Sequence, residues 1–169
     1  MSFGMNRIIY VLLLCVAIYT VMNNAGAPLR QQVQGVAHVH DGDTFTVAGV
    51  KIRLFGVDAP EYDQTCKMPD GSIWACGIWS RDQVRRLLKG KELRCVKRTF
   101  DKYGRMVARC YLGDQDLAQM LVRDGIVFSY ASFSRDYIAV EKQAAVAGRG
   151  LWQAEVVSPA EFRRQKRQN

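Results

Sequence analysis

Residues 36–57 read VAHVHDGDTFTVAGVKIRLFGV, and the alternation inside this stretch decides the fold. Val36 to His40, Asp43 to Val47 and Val50 to Val57 each carry apolar or β-branched residues at a period near two, which is that of a half-buried strand. Gly-containing turns, Asp41-Gly42 and Ala48-Gly49, separate the runs, so they form a meander. With Ala48-Gly49 as the turn, Val47 pairs near Val50 and Thr44 lies near Arg53. Asp43 and Asp58 then sit close to the same end of adjacent strands, in a register where a slip of one residue reverses every facing.

Downstream, Leu93 to Arg98 and Arg105 to Leu112 flank a tight turn, Asp101-Lys102-Tyr103-Gly104. Folding the chain about that midpoint puts Cys95 directly opposite Cys110, close enough for an antiparallel pair to be bridged by a disulfide. Cys66 and Cys76 are left to clamp the loop between them, and Cys15 stands apart in an apolar run. Zinc is the competing use of the four cysteines. The lack of any C-x-x-C pair and the wide spacings favour disulfides, and with them an oxidising compartment. Helical periodicity occurs at Ile78 to Leu88, Asp116 to Val122 and Ser134 to Ala147, with Leu88-Lys89-Gly90 and Ala147-Gly148 as stops. Five strands with helices inserted late predict an α+β fold, a five-stranded OB-type β-barrel packed with about three α-helices.

At 169 residues there is room for one domain with a real core, expected over residues 33–157, plus short extensions. The formal net charge of +8 suits a polyanionic partner, either nucleic acid or an anionic membrane surface. Residues 1–28 are expected to be a signal peptide or an N-terminal membrane anchor. Arg7 is the only charged residue before Arg30, and the apolar run Ile8 to Met22 follows it. That run is long for a signal-peptide core and short for a membrane span of about 20 residues. Ala25-Gly26-Ala27 resembles a cleavage site, yet Pro28 follows it directly. A secreted or periplasmic form and a membrane-tethered form both remain open, and either one exports the domain. Residues 158–169, with Phe162-Arg163-Arg164-Gln165-Lys166-Arg167, lack apolar spacing and are expected to be a disordered basic tail.

Three segments carry the charged chemistry. Asp41-Gly42-Asp43-Thr44 enters a strand, Arg53-Leu54-Phe55-Gly56-Val57-Asp58-Ala59-Pro60-Glu61 leaves one, and Asp101-Lys102-Tyr103-Gly104-Arg105 makes the second hairpin turn. Two aspartates meeting at a strand end repel unless a cation lies between them. Hard oxygen donors suit Ca2+, whose flexible coordination also accepts a backbone carbonyl and water. The spacing matches no EF-hand loop, so such a site is assembled from separate segments. On spacing alone, Asp41 and Asp43 read more simply as turn formers and Asp58 as a cap. Arg53 lies in an apolar strand, where a cation is costly unless it projects into a polar pocket. Arg105 opens a strand directly after Gly104. Guanidinium offers a rigid two-pronged donor set to the non-bridging oxygens of a phosphodiester as its five-coordinate state forms. A surface salt bridge is the commoner use of either arginine alone.

Taken together and in order, these three segments resemble the staphylococcal nuclease (thermonuclease) family. The likeness runs from about Val33 to Trp152 and includes Asp116-Leu117-Ala118 opening a helix and Gly150-Leu151-Trp152 at the end. It implies a calcium-dependent nuclease that hydrolyses phosphodiester bonds of DNA and/or RNA and leaves 3′-phosphate and 5′-hydroxyl ends. By the same resemblance, Asp43 and Asp58 ligate Ca2+ with their side chains, and Ala59 contributes its backbone carbonyl where many relatives carry Thr. Glu61 orients or deprotonates the attacking water. Arg53 and Arg105 bind the scissile phosphate and stabilise the transition state. A monomer is expected.

Cysteines and a Trp-rich insert, Cys66 to Trp79, depart from the best-known family pattern and resemble a bacterial branch whose loop reads Cys, then Trp-Ala-Cys-Gly. Contacts to substrate bases therefore do not transfer. Tyr103 and Tyr130 are either base-stacking aromatics or partly buried barrel residues. His38 and His40 alternate outward along one strand face, which reads as a solvated face before a metal site. Two other whole-protein readings are a catalytically silent OB-fold nucleic-acid-binding module and an exported surface protein that binds anionic lipid or polysaccharide through its tail. A silent module has no physical need to keep Asp43, Arg53, Asp58, Glu61 and Arg105 together. The surface protein leaves the three segments without a use.

Overall fold

Ala48 and Gly49 both take positive φ, 47° and 78°, which is the two-residue turn whose twist matches that of paired strands. The turn fixes the expected register: β2 (Thr44–Val47) pairs with β3 (Val50–Leu54) through Val47↔Val50 and Thr44↔Arg53. This computed structural model describes residues 31–168 and, nearer the N-terminus, residues 10, 12–16, 18 and 19.

The chain divides into two units, Met1–Arg30 and Gln31–Asn169. In the first, the described residues are helical and exposed, and Cys15 is a free thiol. No helix among the described residues is long and apolar enough to cross a membrane. Ala25-Gly26-Ala27 and much of the expected signal or anchor lie outside the described residues.

The second unit is built on a closed barrel. β1 (Gln32–Asp41) lies between β2 and a long strand at Glu92–Phe100, which pairs in turn with Met106–Leu112. Short strands complete the chain order: β4 (Val57–Asp58), β5 (Cys66–Lys67), β6 (Ile73–Trp74), then β7 (Glu92–Phe100), β8 (Met106–Leu112), β9 (Gln115–Asp116) and β10 (Phe128–Ser129). Around the barrel the order is β3-β2-β1-β7-β8, and β3 closes on β8 in parallel through Ile52↔Met106, Arg53↔Val107 and Leu54↔Ala108. This is the expected α+β arrangement, an OB-type barrel with helices. Its interior is filled by Phe45, Ile52, Leu54, Leu93 and Met106, each essentially without solvent contact.

Helix α1 (Cys76–Leu88) packs on β1, burying Val84 and Leu88. Helix α2 (Leu117–Arg123) starts at Asp116, whose carboxylate accepts the Gln119 N–H, and buries Leu117, Ala118, Leu121 and Val122. Helix α3 (Ile138–Val146) packs on α2, and a single 3-10 turn follows at Gly150–Gln153. These three helices are the ones the sequence predicts, except that α3 begins at Ile138 and not at Ser134.

A fourth helix does not. Residues 158–169, expected to be a disordered tail, form helix α4 over Pro159–Lys166. Ser158 caps it by accepting the Glu161 N–H at 3.2 Å, and proline stands in the first turn, where its missing N–H costs nothing.

Both disulfides have the expected partners, Cys95–Cys110 and Cys66–Cys76, which removes zinc as a use for these thiols. Cys95 lies opposite Cys110 because Arg98 is an extra residue: the register steps between Lys97↔Ala108 and Thr99↔Val107. Around Cys66–Cys76, Trp74, Trp79 and Trp152 pack with Phe128 and Leu151 into a second small core, so the Trp-rich insert is structural. Replacing Cys95 and Cys110 together by alanine is expected to cost about 3 kcal/mol, the chain-entropy value for a loop of this length. Urea unfolding measures it.

Candidate active site

The site begins where the β1–β2 turn meets the turn after β3. Gly42 fits there only because it lacks a Cβ, which would stand 2.7 Å from the Ala59 Cβ and 2.8 Å from Ser80 Oγ. This contact brings Asp43 against Ala59, whose N–H donates to Asp43 Oδ2 at 2.8 Å, while the Thr44 hydroxyl donates to Oδ1 at 2.9 Å. Asp58 is held from the other side, because β4 pairs with β10 through Phe128↔Asp58. Asp43 and Asp58 are 2% and 3% exposed, so both charges are buried and need partners.

Arg53 is the first partner. It pairs with Asp43, donates to Asp58 Oδ1 at 2.7 Å and also donates to the Val57 carbonyl at 3.1 Å. Burial works against its charge, and Asp43 and Asp58 more than compensate, raising its pKa. Arg105 reaches the same cavity from the second hairpin. Asp101 holds it there, accepting from Nε at 2.7 Å, and Nη1 donates to Thr44 Oγ1 at 3.2 Å. Thr44 thus links Arg105 to Asp43. Glu61, a third exposed, stands at the cavity mouth.

Arg53, Arg105, Asp43, Asp58, Ala59 and Glu61 all line one cavity of about 470 Å3, with Asp41, Lys102, Tyr103 and Tyr130 beside them. Every residue that the sequence assigned to the site is therefore brought together. For Ala59 the structure records the N–H contact to Asp43, and for Glu61 an ion pair with Arg163.

A family sequence model described as Staphylococcal nuclease homologue matches residues 51–154. The chain belongs to the staphylococcal nuclease family. Among its relatives, an uncharacterized endonuclease of Escherichia coli O157:H7 is 33% identical over 139 residues, which is 78% of this chain and 84% of that protein. The succinoglycan biosynthesis protein ExoI of Rhizobium meliloti (strain 1021) is 32% identical over 136 residues, 79% of this chain and 70% of that protein. The staphylococcal-like nuclease CAN1 of Arabidopsis thaliana is 28% identical over 120 residues, covering 69% of this chain and 34% of that longer protein. Membership in this nuclease family supports a nuclease function and a nucleic-acid substrate.

Three site residues of this family member escaped the sequence reading. Asp41, by sequence a turn former, lines the cavity, and burial together with nearby Asp43 pushes its carboxyl up to about 6. Asp101, by sequence part of the second hairpin turn, positions Arg105, and the Asp–Arg pair four residues apart is the signal for it. Arg163, assigned to the tail, enters the cavity and donates to Asp58 Oδ2 at 2.8 Å and Glu61 Oε1 at 2.6 Å. The two open aromatics resolve differently. Tyr103 is 72% exposed at the cavity rim, while Tyr130 is partly buried and stacks on Phe133. His38 and His40 are exposed and edge-on to each other, and His40 Nε2 bonds the Thr46 hydroxyl, as a solvated strand face would have it.

The donor set fits a hard divalent cation. Asp41, Asp43, Asp58 and Glu61 bring only oxygen to one cavity. Among the described residues no three acids already stand as a ligand cluster, and guanidiniums lie between the carboxylates instead.

Proposed function

We propose that this chain is a calcium-dependent nuclease cutting DNA and/or RNA to leave 3′-phosphate and 5′-hydroxyl ends. One observation carries the reading: Arg53 and Arg105, from different hairpins, open into the same cavity as the buried Asp43–Asp58 pair. Asp43 and Asp58, with the Ala59 carbonyl, would hold Ca2+, which supplies Lewis-acid polarisation of a phosphoryl oxygen when bound. The chain's own groups do the rest. Arg53, fixed by two carboxylates, and Arg105, fixed by Asp101, neutralise the non-bridging oxygens as negative charge gathers on them. Glu61, reachable from solvent at the cavity mouth, orients the attacking water and takes its proton. Catalysis is then mainly positioning and electrostatics.

Glu61 owes its position to Gly77. A Cβ on that glycine would lie 1.8 Å from the Glu61 carbonyl oxygen, so α1 and the 61–64 turn touch backbone to backbone. Gly77→Ala is expected to lower turnover by about tenfold or more, since a shift near 1 Å at a reacting group costs up to a hundredfold. A steady-state assay on the folded variant checks this.

The decisive test incubates purified protein with single- and double-stranded DNA and RNA, in calcium or chelator, and identifies the ends. Calcium-dependent fragments that accept a 5′ label without prior phosphatase treatment are expected. Intact polymers, or cleavage indifferent to chelator, would overturn the reading. Export, whether by cleaved signal or retained tether, belongs to the same proposal and is supported by two disulfides in a chain of this size. N-terminal sequencing of the mature protein separates the two forms.

A further inference from the structure

Helix α4 puts a positive charge where the proposed function needs a metal ion. Arg163 donates to both oxygens of Asp58, at 2.8 and 3.3 Å, and to Glu61 at 2.6 Å. Together with Arg53 it leaves neither oxygen of Asp58 without a cationic partner. A guanidinium is cationic at every working pH, so the charge is always there. Asp58 is 3% exposed, and a divalent ion sharing it with two adjacent guanidiniums meets strong like-charge repulsion.

The way α4 is attached matters equally. Pro159 is its only buried residue. The remaining tethers are polar: Arg163 on Asp58 and Glu61, Lys166 on Asp63, and Gln64 Nε2 donating to the Val157 carbonyl at 2.9 Å just before the helix. Its first turn also borders a second, open cavity of about 380 Å3, lined by Asp58, Phe128, Glu141, Trp152, Pro159 and Ala160. With Pro159 its only buried residue, the helix gives up little apolar burial on leaving.

We propose that α4 is a latch: Arg163 stands in for the divalent cation at Asp58 and Glu61, and metal binding and α4 docking exclude one another. The proposal rests on the metal site of the proposed function and adds its control. Mutual exclusion is reciprocal, so metal loosens the helix to the same degree that the helix weakens the metal. A latch closed nine-tenths of the time lowers apparent metal affinity about tenfold.

The test is calorimetric titration of Ca2+ into the full chain and into Arg163→Ala, with hydrogen exchange of the α4 amides followed in parallel. Arg163 is partly exposed, so its replacement leaves the barrel intact. Arg163→Ala is expected to bind Ca2+ about tenfold more tightly, and saturating Ca2+ is expected to speed exchange over residues 159–166 in the unsubstituted chain. Equal or weaker affinity in the variant, or α4 exchange indifferent to Ca2+, would overturn the latch alone. Failure of both proteins to bind Ca2+ would overturn the metal site with it.

Discussion

Arg53→Ala and Arg105→Ala are each expected to lower turnover by roughly a hundredfold or more, the scale seen when one charge-stabilising donor is removed from a transition state. The two variants differ in a way that makes the pair informative. Arg105 bonds Asp101 and Thr44 near the rim, and its loss disturbs an ion pair of modest worth, about 1 kcal/mol or less. Arg53 is the bridge between two buried aspartates, and breaking a buried pair costs about 3–5 kcal/mol. Urea unfolding beside each assay separates catalysis from folding. Arg53→Lys sharpens the comparison, because it keeps a charge between Asp43 and Asp58 but loses the two-pronged donor set. It should fold better than Arg53→Ala and still turn over poorly. Near-normal turnover in both alanine variants would refute the assignment of these arginines to the scissile phosphate.

Removing Ca2+ with a chelator is expected to abolish cleavage while the protein stays folded. The barrel does not depend on metal for its cohesion, since Phe45, Ile52, Leu54 and Leu93 fill it, one disulfide joins β7 to β8 and the other ties the 66–76 loop. Nor does the acid cluster fall apart, because Arg53 and Arg163 already sit among the carboxylates. Stability should therefore fall only by what ligand binding contributes, about 2.7 kcal/mol at a hundredfold excess over Kd, and the melting temperature with it. Far-ultraviolet circular dichroism and a thermal melt, with and without chelator, measure both halves of the expectation. Activity persisting in chelator would mean a different chemistry, and unfolding in chelator would mean a structural metal.

The barrel was legible because each of its strands announces its own facing. Alternation from Val36 to Leu54 and a turn at Ala48-Gly49 are local signals, and they place Thr44 opposite Arg53 without any knowledge of the rest. The acids and arginines of the site did not follow from that register, on which they read as turn formers, a cap and surface pairs; the resemblance of the three ordered segments to a nuclease family implied their roles. The Arg98 bulge did not: folding about the midpoint reached the right partners for Cys95 without revealing how the register gets there. Helix α4 was hidden for a different reason. It is held to its surroundings by charge, through Asp58, Glu61 and Asp63, whose positions relative to Arg163 and Lys166 only tertiary structure defines. No hydrophobic period exists there to be read. The one local sign was Ser158-Pro159-Ala160-Glu161, a capped helix start with an acid at the third position, which outweighs the missing apolar stripe.

The parallel seam between β3 and β8 joins Arg53 to Val107, next but one to Arg105, so the stitch that completes the barrel also assembles the reacting centre. Without that pairing, Arg53 and Arg105 stand on separate hairpins and the site of the proposed function is not assembled. On the proposed function, a chain whose barrel is still open would therefore spare the nucleic acids around it, and cutting would track closure of the barrel.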